Sequence, residues 1–508
     1  MAKIAKKTAS ESGAGKGGVL ERMLKSVANS KALLPAPELL VPAGNLEKLK
    51  CAFEFGADAV YMGLPAFSMR SRTNEFDEES FMEGVDLIRK LGKKFYITEN
   101  IFTRNSKVPA FKKHLAYVRD QVKPDAIILA DPGILELVKE VYPKACIHLS
   151  VQANCLNYKA VEFWQKQGVS RVILPRELML QEIAEIHKEV PDMELEYFVH
   201  GAICMAYSGR CLISNYLTGR DSNQGICAQS CRWKYKMYEG RGTAEGGELG
   251  SDVAGDGDVA EGDDFVGTGG GFKGTDGRGL FIEEALRPGE YMPIEEDEHG
   301  TYIMNSKDNC QIEYLRELHE AGVCSLKVEG RNKTIYYLAS VVKAYRKALD
   351  DMMAGRDFDP ALMEEMMKIA NRGYVPGFLK GFPGSSQINL ESPKSQSPYY
   401  FVGVVRVSGA KGQKDLYRVE VRNRLKSGRE VELVKPLALL DGDGLSGEGM
   451  SGENGGAPFF ETSKVTEILS LNEDVVDVAH GGHKDVYFRI PASKGGGFPV
   501  GTLIRAKV

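Results

Sequence analysis

Eight short β-prone runs separated by amphipathic segments limit the folds open to this chain more than any other feature. The runs lie between Glu38 and Arg331 and read ELLVPAG, DAVYMG, KFYITENIF, DAIILADPG, CIHLSVQAN, RVILPRE, LEYFVHG and SLKVEGR. Each has Gly, Pro, Asp or Asn in or beside it, a pattern typical of buried parallel strands. Segments such as FMEGVDLIRKLG between them have helical periodicity. The pattern therefore predicts an α/β fold.

Eight β–α units are the number that builds a TIM-type barrel. A doubly wound open sheet is the main rival. The barrel is favoured because polar residues recur at the C-terminal end of each run, where barrels build their sites. From Tyr399 onward the chain changes to short strands and turns, which predicts a C-terminal all-β module, a small barrel. A chain of 508 residues is too long for a single core, so two or more domains are expected.

The predicted organisation has three parts. Residues 1–34 form a basic extension, either a disordered tail or an organelle transit peptide. Residues 35–397 form the TIM-barrel-like catalytic domain, and residues 398–508 form the β-barrel domain. Within the catalytic domain, residues 240–279 are so rich in Gly and Asp that they cannot bury much apolar surface, which indicates a disordered insertion.

Bulk properties narrow the class and compartment of the protein. The net charge of −5 and the pI near 6.0 argue against a generic nucleic-acid coat, although a local basic groove remains compatible with them. No apolar run reaches membrane-spanning length and no apolar signal core begins the chain. A cytoplasmic protein without membrane contact is therefore expected, or an organellar one if residues 1–34 are a transit peptide.

Four cysteines cluster within residues 200–236. They are Cys204, Cys211, Cys227 and Cys231, with the spacing C-x6-C-x15-C-x3-C. A disulfide pair, a metal or iron–sulfur site, and coincidence are the three explanations. Without a secretory signal the thiols should stay reduced, which weakens the disulfide reading. Only Cys227 and Cys231 are tightly spaced, which is less typical of structural zinc. A metal or cluster site and buried structural thiols remain open.

Polar residues near the run ends are the candidates for chemistry. His148, Ser150, Gln152 and Asn154 alternate along the fifth run, so an extended strand would put them on one face. The candidate catalytic residues are His148, Gln152, His200 and Glu329. The candidate substrate-binding residues are Arg70, Arg72, Arg176, Lys327 and Arg331. Guanidinium groups bind carboxylates bidentately, so this set suits a small anion. The alternative is internal pairing with Glu38, Glu99, Glu177 and Glu329.

Long motifs in this chain resemble those of the peptidase U32 family. The resemblance rests on YFVHGAICMAYSGRCLISNY, HLSVQAN, VPDMELEYFVHG, SLKVEGR and RGYVPGFL, and it extends from about Pro37 to Leu379. It implies a barrel-like N-terminal domain and a C-terminal β-barrel. Members of the family include proteins named collagenase-like proteases. Other branches hydroxylate a ribosomal RNA cytidine, the ubiquinone ring, or the wobble uridine of tRNA in a reaction that depends on prephenate.

The tRNA-hydroxylating bacterial branch is the most similar to this chain. The resemblance therefore implies tRNA as partner, prephenate as cosubstrate and formation of 5-hydroxyuridine. It also implies an iron–sulfur cluster, expected to be of the 4Fe–4S type, on Cys204, Cys211, Cys227 and Cys231. The alternatives are a U32-type peptidase, hydroxylation of a ribosomal RNA cytidine, and a non-catalytic RNA-binding factor. The chain has no HExxH or GxSxG motif to support protease chemistry.

The segment YRVEVRNRLK adds one prediction about RNA contact. Arg418, Arg422, Arg424 and Lys426 have even spacing, so a continuous strand would carry them on one face. Such a face could touch the tRNA backbone, although a solvated surface is the competing interpretation.

Overall fold

A computed structural model describes most of the chain from Pro35 onward. The described residues are 35–64, 67–68, 75–204, 206–207, 210–211, 213–218, 220, 222, 227–232, 235–241, 248–249, 279–284, 291–294, 296–297, 300–301, 306–381, 397–441, 444–446, 459–482, 484–491 and 497–508. The extension 1–34 and most of the insertion 240–279 lie outside them. Within these ranges, the helices are all too short or too polar to cross a bilayer.

Eight parallel strands form a closed barrel. They are β1 (Glu38–Pro42), β2 (Ala59–Met62), β3 (Lys94–Thr98), β4 (Ala126–Leu129), β5 (Ile147–Leu149), β6 (Arg171–Leu174), β7 (Glu194–Ala202) and β8 (Val323–Val328). Each strand pairs with the next, and β8 pairs with both β1 and β7, which closes the sheet. The predicted TIM-like barrel is confirmed, and the open doubly wound sheet is wrong because such a sheet has free edges.

Both faces of the barrel strands are buried, which explains their nearly continuous apolar runs. One face packs on the helices, as Val41 and Val60 do. The other fills the lumen with a separate cluster that includes Leu40, Tyr61 and Phe198.

Helices follow most of the strands and cover the barrel. They are α1 (Leu46–Glu54), α2 (Glu78–Lys90), α3 (Val108–Tyr117), α4 (Pro132–Val141), α5 (Tyr158–Lys166), α6 (Leu180–Glu189), α7 (Leu315–Glu320), α8 (Ile335–Met353) and α9 (Ala361–Met367). Capping side chains start several of them: Asn45 accepts from the backbone of α1 and Asp131 from that of α4. Asp131, a polar residue just beyond β4, is therefore occupied as a helix cap.

The long connection from β7 to β8 contains its own strands. Tyr235–Arg241 pairs antiparallel with Gly279–Glu284, so the Gly- and Asp-rich insertion connects the ends of two paired strands. Within it, Glu248–Leu249 forms a short strand against Gly240 and Arg241. The predicted disorder of the insertion stays a prediction. Asp308–Cys310 then runs antiparallel to the end of β7.

The C-terminal region is all-β, as predicted. Its main sheet is antiparallel, and the strand order is Glu461–Lys464, Glu430–Val434, Leu503–Lys507, Tyr399–Val407, Leu416–Val421, Lys484–Arg489 and Glu467–Leu469. The sheet curls around its own core, which contains Tyr417, Phe488 and Phe498. Arg505 joins this module to the barrel because it pairs with Glu365 of α9. The predicted boundary between residues 397 and 398 stays a prediction.

The predicted basic strand face is wrong. The strand that carries Arg418 ends at Val421, so Arg422, Arg424 and Lys426 do not continue its alternation. Arg418 pairs with Asp485, and Arg422 pairs with Glu47 of α1.

Candidate functional site at the mouth of the barrel

A chain of hydrogen bonds surrounds one side of the barrel mouth at the C-terminal ends of the strands. Arg331, which follows β8 and is 3% exposed, donates from Nη1 to Ser68 Oγ at 2.7 Å and from Nη2 to the Gly63 carbonyl at 3.2 Å. Ser68 Oγ lies 2.6 Å from Thr98 Oγ1, which in turn donates to the Met62 carbonyl at 3.3 Å. A Cβ atom on Gly63 would lie 2.3 Å from Thr98 Oγ1, so this approach requires glycine. Sequence reasoning found Arg331 but missed Ser68, which lies in a loop without a pattern.

A second chain of hydrogen bonds connects the ends of β3 and β5. Asn100 Nδ2 donates to Ser150 Oγ at 3.4 Å, and Ser150 Oγ donates to Gln152 Oε1 at 3.2 Å. Because β4 separates β3 from β5 in the sheet, these side chains meet across the end of β4, inside the mouth. Gln152 is 5% exposed, and its Nε2 has no hydrogen-bond partner among the described residues.

The local backbone after β5 differs from the sequence prediction. β5 ends at Leu149, and Val151–Ala153 forms a 3₁₀ turn that ends at Asn154 in the left-handed region with φ 54°. The predicted alternation of His148, Ser150, Gln152 and Asn154 along one strand is therefore wrong beyond Leu149. The turn nevertheless leaves Ser150 and Gln152 in hydrogen-bond contact.

His148 lies in the lumen, below the mouth. Its ring packs against Tyr96 with the centroids 4.7 Å apart. Burial, assisted by the charge of Arg171, lowers the pKa of His148 to about 3. The imidazole is neutral at pH 7 and is a weak base there.

Lys327 also lies in the lumen rather than at the mouth. Its Nζ donates to Glu196 Oε1 at 2.6 Å and lies 4.4 Å from the centre of the Tyr61 ring. Glu196 also accepts from Arg171 Nη1 at 3.2 Å, and the same nitrogen donates to Glu38 at 2.8 Å. Burial lowers the pKa of Lys327, and Glu196 partly offsets this effect. The pairing with Glu38 that was the alternative for the candidate arginines belongs to Arg171.

Glu196 was missed by sequence reasoning. The available signal was a carboxylate inside the apolar run LEYFVHG, where a buried charge requires a partner.

Arg176 lies at the mouth, beside the end of β7. Its Nη1 donates to the Ala202 carbonyl at 3.0 Å, and its guanidinium carbon lies 4.2 Å from the centre of the Phe198 ring. Lys327 Nζ lies 5.5 Å from the same ring. The Phe198 ring therefore lies within cation–π distance of Arg176 at the mouth and of Lys327 in the lumen. Arg70 and Arg72 lie outside the described residues.

His200 points away from the barrel axis. Lys327 pairs with Phe198 whereas Val328 pairs with His200, and this irregularity places His200 on the helix-facing side. Its ring packs among Tyr337, Tyr345 and Tyr374, with centroid distances of 5.8, 5.4 and 5.3 Å. Burial lowers the pKa of His200 to about 3. The structure therefore does not bring His200 together with the other candidate residues.

Glu329 follows β8 directly. Its backbone N–H donates to the His200 carbonyl at 2.9 Å, and its carbonyl accepts from the Tyr337 hydroxyl at 3.0 Å. The side chain is half-buried. Glu329 thus joins Arg331 at the end of β8, on the side of the mouth next to β7.

The clustered cysteines begin beside this mouth, because Cys204 comes two residues after β7 ends. The thiol of Cys204 is hydrogen-bonded to Cys211, which raises the pKa of Cys204 and lowers that of Cys211 to about 5. Negative charge on Cys231 raises the pKa of Cys204 further. Three of the four sulfurs therefore lie close enough to interact.

Backbone amides surround these sulfurs. The N–H groups of Ala206 and Ile213 bond to the sulfurs two residues earlier, on Cys204 and Cys211. The N–H of Gln229 donates to Cys227 Sγ at 3.3 Å, again two residues earlier. Such donors favour the thiolate, which is the form that binds metals and iron–sulfur clusters. The chemistry of this donor set therefore fits an iron–sulfur cluster.

Two further facts bear on the nature of such a site. None of the nine cysteines, all of which lie in the described part of the chain, forms a disulfide. Across the described ranges, no group of three or more His, Cys, Asp or Glu side chains is arranged to hold a single metal ion. Elsewhere in the chain burial raises the pKa of Cys155 to about 12 and that of Cys310 to about 11, so those thiols stay protonated. Cys211 differs from these two thiols because its pKa is lowered rather than raised.

Comparisons with known proteins add an independent finding. The family model described as "Peptidase family U32" matches residues 44–389. The chain is 43% identical over 457 residues to "tRNA hydroxylation protein P" of Haemophilus influenzae, covering 90% of this chain and 93% of that protein. It is 47% identical over 406 residues to the Escherichia coli protein of the same name, covering 80% and 87%. A 23S rRNA 5-hydroxycytidine synthase of Escherichia coli is 30% identical over 319 residues, covering 63% of this chain and 40% of that protein.

Proposed function

The chain belongs to peptidase family U32, and we propose that it is a tRNA-modifying enzyme that hydroxylates the wobble uridine to 5-hydroxyuridine, with prephenate as cosubstrate. One observation carries the proposal: the similarity to a protein named for tRNA hydroxylation extends over 90% of the chain, which includes both the barrel and the β module. The cysteine site beside the barrel mouth supports it, because the same loop would hold the cofactor near the substrate.

Cys204, Cys211, Cys227 and Cys231 would hold an iron–sulfur cluster. When bound, such a cluster supplies one-electron transfer at a potential set by its surroundings. The chain's own part is to favour the thiolate form with backbone N–H groups that donate to the sulfurs of Cys204, Cys211 and Cys227. The backbone amides of Ala206, Ile213 and Gln229 serve this purpose.

The mouth would bind the two carboxylates of prephenate through arginines. Arg176 is half-buried there and uses Nη1 for a backbone carbonyl. Arg331 uses both terminal nitrogens for Ser68 and Gly63, so its guanidinium is held in a fixed orientation. Arg70 and Arg72 follow β2 in sequence and complete the proposed set. Lys327 would contribute to this set from the lumen below the mouth, where it is paired with the buried Glu196.

Among the candidate catalytic residues, Gln152 and Glu329 lie at the mouth and could contact a bound base. His148 and His200 enter the proposal only as neutral, buried groups, since burial lowers the pKa of each to about 3. A peptidase mechanism would need one of these histidines beside a nucleophile. Neither their burial nor their low basicity favours that role, so peptidase activity is not proposed.

The test is nucleoside mass spectrometry of tRNA from a bacterial strain that cannot make 5-hydroxyuridine. Expression of the chain should restore 5-hydroxyuridine, and the Cys211→Ser variant should not. Cys155→Ser is the matched control, because that thiol is 2% exposed, packs in the hydrophobic core and is not one of the clustered cysteines, and it should act as the wild type does. Unchanged tRNA after expression of a folded wild-type chain would refute the proposal.

Hydroxylation of a ribosomal RNA cytidine is the second candidate, because a 23S rRNA 5-hydroxycytidine synthase also matches the chain. The same experiment separates the two. 5-Hydroxycytidine in the ribosomal RNA digest, with no change in tRNA, would favour the second candidate.

A further inference from the structure

The hydrogen-bond chain from Asn100 to Gln152 has a direction. A serine hydroxyl carries one hydrogen and two lone pairs. Ser150 Oγ accepts from Asn100 Nδ2, so its own hydrogen is donated onward to Gln152. The group that receives it must be Oε1, because an NH₂ group cannot accept. The chain therefore orients the Gln152 amide and turns Nε2 away from Ser150.

The two NH donors of Gln152 Nε2 are consequently unpaired in a buried place. Gln152 is 5% exposed, and Nε2 has no partner in the described part of the chain. Unpaired buried donors are unfavourable unless a ligand or water completes them. The hydroxyls of Ser68 and Thr98 on the other side of the mouth are both bonded within the protein. Gln152 Nε2 can therefore donate hydrogen bonds to a ligand that enters the mouth.

We propose that Gln152 reads the Watson–Crick edge of the uracil that enters the mouth. Nε2 donates to uracil O4, and uracil N3–H donates to the second lone pair of Oε1. Cytosine presents an amino group in place of O4 and an acceptor in place of N3–H, so both contacts would be repulsive. The inference rests on the proposed function, since it assumes that a base is turned out of its stack into the barrel.

Binding assays with short RNA hairpins test this directly. Anticodon stem-loops that differ only in uridine or cytidine at the wobble position would be titrated, by fluorescence anisotropy, against protein purified without air. A pair of matched contacts of this kind discriminates between bases by about 5- to 150-fold. The wild type should prefer uridine within that range, and the preference of Gln152→Met should fall close to one. Gln167→Met, at the C-terminal cap of α5 and so at the end of the barrel opposite the mouth, should keep the wild-type ratio.

A second variant protects the test against misfolding. Ser150→Ala removes the hydroxyl that orients the amide, so the amide can rotate and the preference should fall in the same direction. A wild-type preference for cytidine would overturn the inference, because it would mean that the chain runs in reverse and exposes Oε1. An unchanged uridine preference in both variants would overturn it too. If tRNA from cells still gains 5-hydroxyuridine in that case, the proposed function stands without the inference.

Discussion

Replacing Lys327 by Met tests whether this residue binds substrate or supports the barrel from within. Lys327 is 3% exposed and Glu196 is 0% exposed, and Nζ lies 2.6 Å from Oε1. Removing one partner of a buried pair costs about 3–5 kcal/mol. Glu196 would keep Arg171 at 3.2 Å and the Ser325 hydroxyl at 3.1 Å. We therefore expect the lower end of that range, about 3 kcal/mol, with little cavity cost because Met has a similar shape.

The loss of stability in Lys327→Met should become smaller as pH falls. Burial raises the pKa of Glu196, but Lys327 and Arg171 outweigh it and the net pKa is lowered. The stabilisation is therefore present above the unfolded pKa of about 4.3 and is lost as pH falls through the lower folded value. In Lys327→Met the carboxyl protonates more readily, so the difference from the wild type should narrow as pH falls below about 5.

Urea unfolding followed by circular dichroism measures both the loss in the free energy of unfolding and its change with pH. Lys139→Met is the matched control, because Lys139 is paired with Glu136 on the surface, and it should cost no more than about 0.5 kcal/mol. Adding Glu196→Gln to Lys327→Met should recover about 1–3 kcal/mol of the summed loss. A loss below about 1 kcal/mol in Lys327→Met, combined with weaker prephenate binding, would refute the structural role.

Three further predictions follow from other parts of the molecule. Because burial lowers the pKa of His200 to about 3, the wild type should lose stability as pH falls below about 6.5, and His200→Phe should lose less in urea titrations across that range. Cys211→Ser should lose iron and visible absorbance in protein purified without air, whereas Cys155→Ser should keep both. Arg505→Met should lower the free energy of unfolding by about 3–5 kcal/mol, because it leaves the buried Glu365 without its partner in the β module, and calorimetry would measure this.

The sequence predicted the barrel well because its signal is local. Each strand is a short apolar run bounded by turn residues, and each is buried on both faces, so all eight runs are strands in the structure. The closure of the sheet into a barrel could not be read from any single run. It depends on the pairing of β8 with both β1 and β7, which joins residues almost 290 positions apart, such as Glu38 and Ser325.

The site was harder to predict, because small backbone irregularities decide where a side chain points. His200 was expected near the chemistry, but the irregular pairing after Phe198 directs it to the helices. Gln152 was expected on a strand face, but a 3₁₀ turn carries it. Lys327 is on the predicted strand, yet only the partner Glu196 reveals that it lies below the mouth. Alternation identifies a face of a regular strand and fails at its end.

The cysteine site was harder to predict than the barrel but easier than the polar residues of the mouth. Spacing alone left a metal, a cluster and structural thiols open. The hydrogen bond between Cys204 and Cys211 and the amides that bond the sulfurs favour ligation. These contacts come from backbone turns that spacing does not encode.

The most direct measurement is hydroxylation of an unmodified tRNA by the purified protein. Protein prepared without air would be incubated with the tRNA, with and without prephenate, and the digested nucleosides would be analysed by mass spectrometry. We expect 5-hydroxyuridine at the wobble position only with prephenate and only when Cys211 is intact. No 5-hydroxyuridine from an iron-containing wild-type protein, or equal amounts from Cys211→Ser, would contradict it.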